Sequence, residues 1–325
     1  MLRTRFTDLV GCPIPLQQAG MGGAATPTLA AAVAEAGGLG MLAAVMIPAP
    51  TLAQLLDGLH EQAAGAFGVN FLIPFLDHAC VEVTAAKARV VEFFYGEPDA
   101  SLVAAVHAGG ALAAWQVGSR EEATAAAAAG SDLVVVQGVE AGGHLRGRIG
   151  LLPLLTEVLE VVDVPVVAAG GIATGRAMAA ALAAGAAAVR VGTRFVAALE
   201  SGAHPRYVEA LLAARAEDTV VTEAFSAMWP NAPHRVLRSC IAAAEAFPGE
   251  MVGEVVMGEA RLPIPRFAVP TPTRETTGAI EAMPLYAGES VGAVRSVQPA
   301  AVIVRELAEE AEQLPQHMPG KHASS

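Results

Sequence analysis

Short apolar runs alternate with alanine-rich stretches from the start of the chain to about residue 200, and this alternation limits the fold more than any other feature. Most of the runs are apolar at every position rather than at every second one. This pattern is typical of parallel strands that are buried on both faces. The predicted strands are residues 14–19, 39–44, 67–72, 90–95, 111–117, 133–137, 164–169 and 188–192.

The stretches between the strands have helical patterns, and many of them end at a glycine, which suits a left-handed C-terminal cap. The predicted helices include residues 28–36, 52–64, 101–108, 120–129, 152–161 and 176–184. Eight strands in β/α order predict an α/β protein, a (β/α)8 TIM barrel. An open doubly wound sheet is the alternative, but no GxGxxG turn follows an early strand.

The composition of the sequence changes after residue 200, where prolines become frequent, Trp229 appears and the periodicity weakens. We therefore expect residues 1–200 and 276–312 to form the barrel, closed by a helix near 299–312. Residues 201–275 should form a smaller inserted domain that covers the barrel mouth. Residues 313–325 are polar and are predicted to be a disordered tail.

Composition and charge exclude several classes of function. The net charge of −12 opposes binding to nucleic acid or to anionic membranes. The most apolar stretch, residues 177–189, is shorter than a membrane span, and no secretion signal is visible, so we expect a cytoplasmic protein. Cys12, Cys80 and Cys240 are far apart and lack metal-ligand spacing, so no metal site is predicted. Self-association through the apolar insertion stays open.

Glycines and neutral amides follow the predicted strands, where the active site of such a barrel lies. No pair of carboxylates does so, which favours a flat cofactor with polar edges over acid–base hydrolysis. The residues at strand ends are Gly20, Met21, Asn70, Gln116, Gln137, Gly142, Gly143, Gly170, Gly171, Gly192 and Thr193. The glycine turns after strands seven and eight favour a phosphate site, since glycine lets backbone N–H groups approach an anion. The alternative is that these glycines only make tight turns and helix caps.

His144 lies in the glycine-rich stretch VEAGGHLRG, directly after the sixth predicted strand. An imidazole can take up or release a proton near neutral pH, so His144 is the candidate catalytic residue. The alternative is a histidine that only holds the turn by hydrogen bonds. The pocket around it should be shaped by the insertion, near residues 225–229, and by Tyr286.

The segments QAGMGGAATPTLAAAVAEAGGLG, FGVNF, VVVQGVEAGGH, VPVVAAGGIATG and VRVGTRF, with LYAGES near the end, resemble the FMN-dependent nitronate monooxygenase family. The resemblance runs from Pro13 to about Leu307. It implies a TIM barrel with an inserted domain, non-covalent FMN, and oxidation of alkyl nitronates or nitroalkanes by O2 to a carbonyl compound and nitrite.

Individual residues match the family's functional positions. By resemblance, Ala19, Gly20 and Met21 face the flavin ring, and Gly142 and Gly143 make the close turn beside it. Asn70, Gln116 and Gln137 contact flavin or substrate. Gly171, Gly192 and Thr193 bind the phosphate, and His144 is the catalytic histidine, as a base or as an electrostatic partner.

Related flavin enzymes share these motifs, so an NAD(P)H-dependent enoyl-thioester reductase and an NAD(P)H:quinone reductase remain alternatives. IMP dehydrogenase-like barrels are excluded because the loop after the sixth strand contains no cysteine. Nothing in the sequence favours a non-catalytic flavin-binding module.

Overall fold

A computed structural model describes residues 2–257 and 260–314, and its centre is a barrel of eight parallel strands. In chain order the strands are β1 (Leu16–Gln18), β2 (Gly40–Ala43), β3 (Phe67–Leu72), β4 (Val90–Phe94), β5 (Leu112–Val117), β6 (Leu133–Gln137), the short β7 (Gly143–His144) outside the barrel, β8 (Val166–Ala169) and β9 (Ala188–Val191). The neighbours pair in the order β2-β3-β4-β5-β6-β8-β9-β1.

The barrel closes between β1 and β2. The backbone N–H of Leu39 donates to the carbonyl of Leu16 at 2.8 Å, and the N–H of Gln18 donates to the carbonyl of Leu39 at 2.9 Å. The predicted (β/α)8 TIM barrel is therefore confirmed, and the open doubly wound sheet is wrong.

Helices surround the barrel and connect its strands. They are α1 (Arg5–Val10), α2 (Pro27–Glu35), α3 (Ala49–Gln62), α4 (His78–Lys87), α5 (Ala100–Gly109), α6 (Arg120–Ala128), α7 (Leu151–Leu159), α8 (Gly175–Ala183), α9 (Thr193–Val196), α10 (Pro205–Ala213), α11 (Arg238–Ala246) and α12 (Ala300–Gln313). Side-chain caps start several of them: Thr26, Ser119 and Thr174 each accept a backbone N–H of the first turn. Because α12 packs on α2 and α8, it covers the outside of the barrel next to its closing strands.

The sequence did not predict α1, which closes the amino-terminal end of the barrel. Thr4 caps this six-residue helix, and Phe6 and Val10 project from it into the barrel interior, among side chains such as Met41 and Val135. Between the strands and the outer helices lies a second, larger layer of apolar side chains. The core is thus split into an inner and an outer shell, as expected for this fold.

A smaller unit follows the barrel in the chain and has its own hydrophobic cluster, which includes Phe225 and Leu285. Its strands are β10 (Thr219–Thr222), β11 (His234–Leu237), β12 (Met251–Met257), β13 (Ala260–Pro265) and β14 (Thr276–Gly278). One sheet has the order β10-β11-β7, which ties this unit to the loop after β6, and the other has the order β13-β12-β14.

The boundary of the inserted unit at residue 275 stays a prediction. Two observations bear on it: β14 pairs with β12, and Ile280 and Met283 pack in the second cluster. We therefore propose that the insertion extends past residue 275, to about Val291, and that the chain then returns to the barrel through α12. The predicted tail falls almost wholly on residues 315–325, which lie outside the described residues.

No helix within residues 2–257 and 260–314 has both the length and the apolar content needed to cross a bilayer. The same ranges hold no cluster of three or more histidine, cysteine or acidic side chains suited to a metal ion.

Candidate active site

The predicted site residues come together at the carboxyl ends of the barrel strands. Ala19, Gly20 and Met21 follow β1, and Gly170 and Gly171 follow β8. The others lie on or next to the neighbouring strands: Asn70 in β3, Gln116 in β5, Gln137 at the end of β6, Gly142 in the loop after it, Gly143 and His144 in β7, and Gly192 and Thr193 at the start of α9.

Several glycines at this end occupy positions that a larger residue cannot take. A Cβ on Gly20 would lie 2.7 Å from Asn70 Cβ and 2.9 Å from the Leu42 carbonyl oxygen. A Cβ on Gly142 would lie 2.5 Å from the backbone nitrogen of Gly288. Such distances are impossible without movement of the backbone, so the close packing of these loops depends on glycine.

The loop after β6 is held by hydrogen bonds from three directions. The Glu140 carboxylate accepts the N–H of Leu151 at 2.9 Å and so caps α7, which begins there. The guanidinium of Arg235 donates twice to the carbonyl of Val139, at 2.8 and 3.1 Å. The Gln137 side chain donates to the carbonyl of His144 at 3.0 Å. The position of His144 is therefore set by the barrel and the insertion together.

The imidazole of His144 is enclosed by aromatic rings. Trp229 stacks on it with ring centroids 4.1 Å apart and planes inclined by 20°. Tyr95, Tyr286 and His234 lie at centroid distances of 6.0, 5.6 and 5.2 Å. The sequence pointed to Trp229 and Tyr286 as pocket residues, but it gave no sign of Tyr95, which comes from the end of β4.

Burial lowers the pKa of His144 to about 3, with a smaller contribution from the nearby His234. The imidazole is consequently neutral at pH 7, because the charged form loses its hydration in this enclosure. Its Nε2 atom is buried and has no hydrogen-bond partner within the described part of the chain. In this structure His144 is therefore poised to exchange a hydrogen bond or a proton, and it is not a resident positive charge.

The turns after β8 and β9 are built on glycines whose backbone could approach an anion. Gly170 and Gly171 have φ angles of 110° and 69°, which are costly for residues with a side chain. Gly192 directly precedes α9, and an added Cβ there would make ordinary contacts, with Ala19 Cβ at 3.5 Å and Met21 Sδ at 3.7 Å. The Thr193 hydroxyl oxygen accepts the backbone N–H of Gly288 at 3.0 Å.

A layer of polar side chains spans the barrel interior just below these loops, and sequence reasoning missed part of it. Arg190 in β9 and Glu92 in β4 form an ion pair, with Glu92 completely buried. Gln17 Nε2 donates to Glu92 at 2.9 Å, and Asn70 Nδ2 donates to it at 2.7 Å. Arg190 also donates to Gln116 Oε1. The available signal was one charged residue in each of two otherwise apolar strands.

These residues fit the flavin that the resemblance implies. Besides His144 Nε2, Gln137 Oε1 is buried without a partner in the described ranges. Buried polar atoms are normally hydrogen-bonded, so a bound ligand would supply the partners that these two atoms lack. Neutral amides suit the polar edge of an isoalloxazine ring, and the glycine turns suit its phosphate. Trp229 fills the space over the imidazole, so a ring can enter there only if the indole is displaced.

Two cavities lie away from His144. One, of about 260 Å³, is lined by residues that include Pro13, Ile14 and Arg305, near the amino-terminal end of the barrel. The other, of about 150 Å³, lies behind the glycine turns beside Thr174 and Arg194. The site residues predicted from the sequence line neither cavity.

Comparisons with known proteins agree with the fold. The family profile described as nitronate monooxygenase matches residues 3–80 and 77–310. Over 256 residues the chain is 38% identical to a protein of Rhodococcus jostii named (3aS,4S,5R,7aS)-5-hydroxy-7a-methyl-1-oxo-octahydro-1H-indene-4-carboxyl-CoA dehydrogenase, covering 78% of this chain and 71% of that protein.

Two solved structures are also similar over nearly the whole chain. FabK from Thermotoga maritima has a TM-score of 0.81 at 32% identity, covering 97% of this chain and 98% of its own. Nitroalkane oxidase from Streptomyces ansochromogenes has a TM-score of 0.78 at 33% identity, covering 96% and 99%. The names monooxygenase, dehydrogenase and oxidase are all those of oxidoreductases.

Proposed function

The chain belongs to the nitronate monooxygenase family, and on that premise we propose that it oxidises alkyl nitronates with O2 to a carbonyl compound and nitrite, using FMN. The similarity to a nitroalkane oxidase over nearly the full length supports this choice. The single observation that carries it is the neutral, half-buried imidazole of His144 at the mouth of the barrel, whose buried Nε2 has no hydrogen-bond partner in the described ranges.

Bound FMN would supply the electron acceptor for the substrate and the site of reaction with O2. The chain's own residues would then bind and orient the flavin and the substrate. The glycine turns at Gly171 and Gly192 would hold the phosphate, and Asn70 and Gln116 would contact the edge of the ring. His144 would donate a hydrogen bond to the nitro oxygens of a nitronate, or take the α-proton from a neutral nitroalkane.

The aromatic enclosure supports such chemistry because it excludes water. Trp229, Tyr95 and Tyr286 surround the imidazole, so an anionic nitronate would meet it in a medium of low dielectric constant, where a hydrogen bond to a charge is strong. An arriving anion would also favour the protonated imidazole, since an opposite charge nearby raises the pKa of a histidine.

A second candidate function has specific support. The relative from Rhodococcus jostii is named as a dehydrogenase of a CoA thioester, and it is 38% identical to this chain. The same site would then bind an unsaturated or oxidisable acyl thioester, with NAD(P)H or its oxidised form as the second substrate. Stacking of a nicotinamide on flavin would need no GxGxxG turn.

One experiment separates the two. The visible spectrum of the purified protein is recorded without oxygen, first with propyl nitronate and then, in a separate sample, with NADH. We expect nitronate alone to bleach the flavin absorbance, and nitrite to form once air is admitted. Bleaching by NADH alone, with no nitrite from the nitronate sample, would refute the monooxygenase and favour an NAD(P)H-dependent enzyme, either the thioester enzyme or the quinone reductase.

His144→Ala tests the role of the imidazole. We expect FMN to stay bound and flavin reduction by nitronate to slow by about 10²- to 10⁴-fold, the usual contribution of a proton-transfer residue. His78→Ala is the matched control, because His78 is an exposed residue at the start of α4. Unchanged reduction in His144→Ala would remove the imidazole from the mechanism.

A further inference from the structure

The ion pair between Glu92 and Arg190 occupies the layer of the barrel that carries two of the proposed flavin contacts. Glu92 accepts from Asn70 on one carboxylate oxygen, and from Gln17 and Arg190 on the other. Arg190 donates a further N–H to Gln116 Oε1. The two charges therefore bind the inner ends of both Asn70 and Gln116.

These contacts determine which way each amide faces. A carboxylate only accepts hydrogen bonds, so Asn70 must turn its NH2 group to Glu92. A guanidinium only donates, so Gln116 must turn its carbonyl oxygen to Arg190. The opposite ends, Asn70 Oδ1 and Gln116 Nε2, make no hydrogen bond in the described ranges. Neither atom is completely buried without a partner, so both keep some exposure.

We propose that Glu92 and Arg190 are positioning residues that make the barrel mouth present one fixed acceptor, Asn70 Oδ1, and one fixed donor, Gln116 Nε2, to the imide edge of a flavin. That edge carries a ring N–H between two carbonyl groups, so it needs an acceptor and a donor side by side. The inference rests on the flavin of the proposed function, but it does not depend on which substrate the flavin oxidises.

The cost of this arrangement is an argument for its role. A fully buried ion pair adds little net stability, because desolvation of the two charges offsets their attraction. Apolar side chains would fill the same space, as Val135 and Val167 do elsewhere in the barrel interior. A charged pair does what apolar residues cannot do, since it makes each neighbouring amide prefer one of its two orientations.

The test compares the affinities of FMN and 3-methyl-FMN, in which a methyl group replaces the hydrogen of the ring N–H. Both are titrated into apoprotein, by quenching of flavin fluorescence. We expect the wild-type protein to bind FMN about tenfold or more tightly than the methyl analogue, because Asn70 Oδ1 loses its partner and meets the methyl group. Equal affinities in the wild-type protein would overturn the proposal without any variant.

Glu92→Gln keeps the shape of the side chain but changes which of its atoms donate and accept hydrogen bonds. Two donors, Gln17 and Arg190, face the same oxygen of residue 92, so a glutamine there keeps its carbonyl oxygen towards them and turns its NH2 to Asn70. Asn70 must then rotate and present its own NH2 to the mouth. We expect the preference for FMN over the methyl analogue to fall below about threefold, since the acceptor is gone.

The double variant Glu92→Gln/Asn70→Asp should restore the preference, because an aspartate accepts from the new NH2 and again presents an oxygen to the mouth. The formal charge of the layer is the same as in the wild type. Glu97→Gln, at a mostly exposed carboxylate, is the matched control. Retention of the wild-type preference in Glu92→Gln, or no recovery in the double variant, would overturn the inference.

These readouts are independent of turnover. A protein that shows the expected preference and rescue but oxidises no nitronate would leave this inference standing and refute the proposed substrate. A protein that binds neither flavin would overturn the inference and the proposed cofactor together.

Discussion

Replacement of Trp229 by alanine should raise the pKa of His144. The indole covers one face of the imidazole at a centroid distance of 4.1 Å, and burial is the main reason why the pKa of His144 lies at about 3 rather than 6.5. Without the indole, water reaches Nε2 and solvates the charged form. Tyr95, Tyr286 and His234 remain in place, so we expect a partial recovery.

The expected size follows from this geometry. One of the four rings around the imidazole is removed, and it is the one in closest contact. We expect the pKa of His144 to rise by at least about one unit, which corresponds to roughly 1.4 kcal/mol less cost of charging the imidazole. Full recovery to 6.5 would mean that Trp229 alone encloses the ring.

NMR of protein labelled with ¹³C-histidine measures this directly. The Cε1 resonance of His144 is assigned by its loss in His144→Gln, and its shift is then followed as a function of pH. Trp229→Phe is the matched control, because it keeps an aromatic cover and should leave the pKa of His144 low. A pKa unchanged within about 0.3 units in Trp229→Ala would refute the claim that the indole keeps the imidazole neutral.

Three further predictions concern stability and the loops. Glu92→Leu should lower the free energy of unfolding by about 3–5 kcal/mol, because it leaves the Arg190 charge buried without a partner. The double variant Glu92→Leu/Arg190→Met should lower it less, since no buried charge remains. Urea denaturation measures both, and a larger loss in the double variant would contradict the prediction. Gly142→Ala should weaken FMN binding at least about tenfold by forcing its loop apart, while Gly22→Ala, with nothing within 4 Å of its added Cβ, should not; equal affinities by fluorescence titration would contradict the packing argument. Because the pKa of His144 is lowered, the unfolded chain takes up a proton at this residue near pH 6.5 and the native protein only near pH 3. The free energy of unfolding should therefore fall by at most about 5 kcal/mol on this account as the pH drops from 6.5 to 3. His144→Gln should flatten that part of the curve of stability against pH.

The barrel could be predicted because its signal is local. Residues 67–72 and 133–137 were predicted as strands with the observed ends, since strands buried on both faces are apolar at each position. The ends of strands were less certain: the strand predicted at 164–169 begins at Val166, after Pro165, which has no N–H to donate to a neighbouring strand. The missed α1 has only six residues, too few for a clear helical period.

The site could be predicted only where one segment carries the chemistry. His144 was found because its glycine-rich loop follows a strand directly. Glu92 and Arg190 were missed because they are 98 positions apart, and each alone is one charge in an apolar strand. Trp229 was recognised as a pocket residue, but its stacking on His144 depends on the pairing of β7 with β11, which no local pattern reveals. Contacts of this kind come from the tertiary fold.

The way the barrel closes has a consequence for synthesis of the chain. β1 lies between β2 and β9. The backbone groups on the edge of β1 that faces β9 therefore have no partner until residues 188–191 have left the ribosome. Until then the nascent sheet has two open edges, which invite pairing with other chains. Over that interval we expect chaperones to bind ribosome-held intermediates, and a chain cut before β9 to aggregate rather than remain as a smaller barrel.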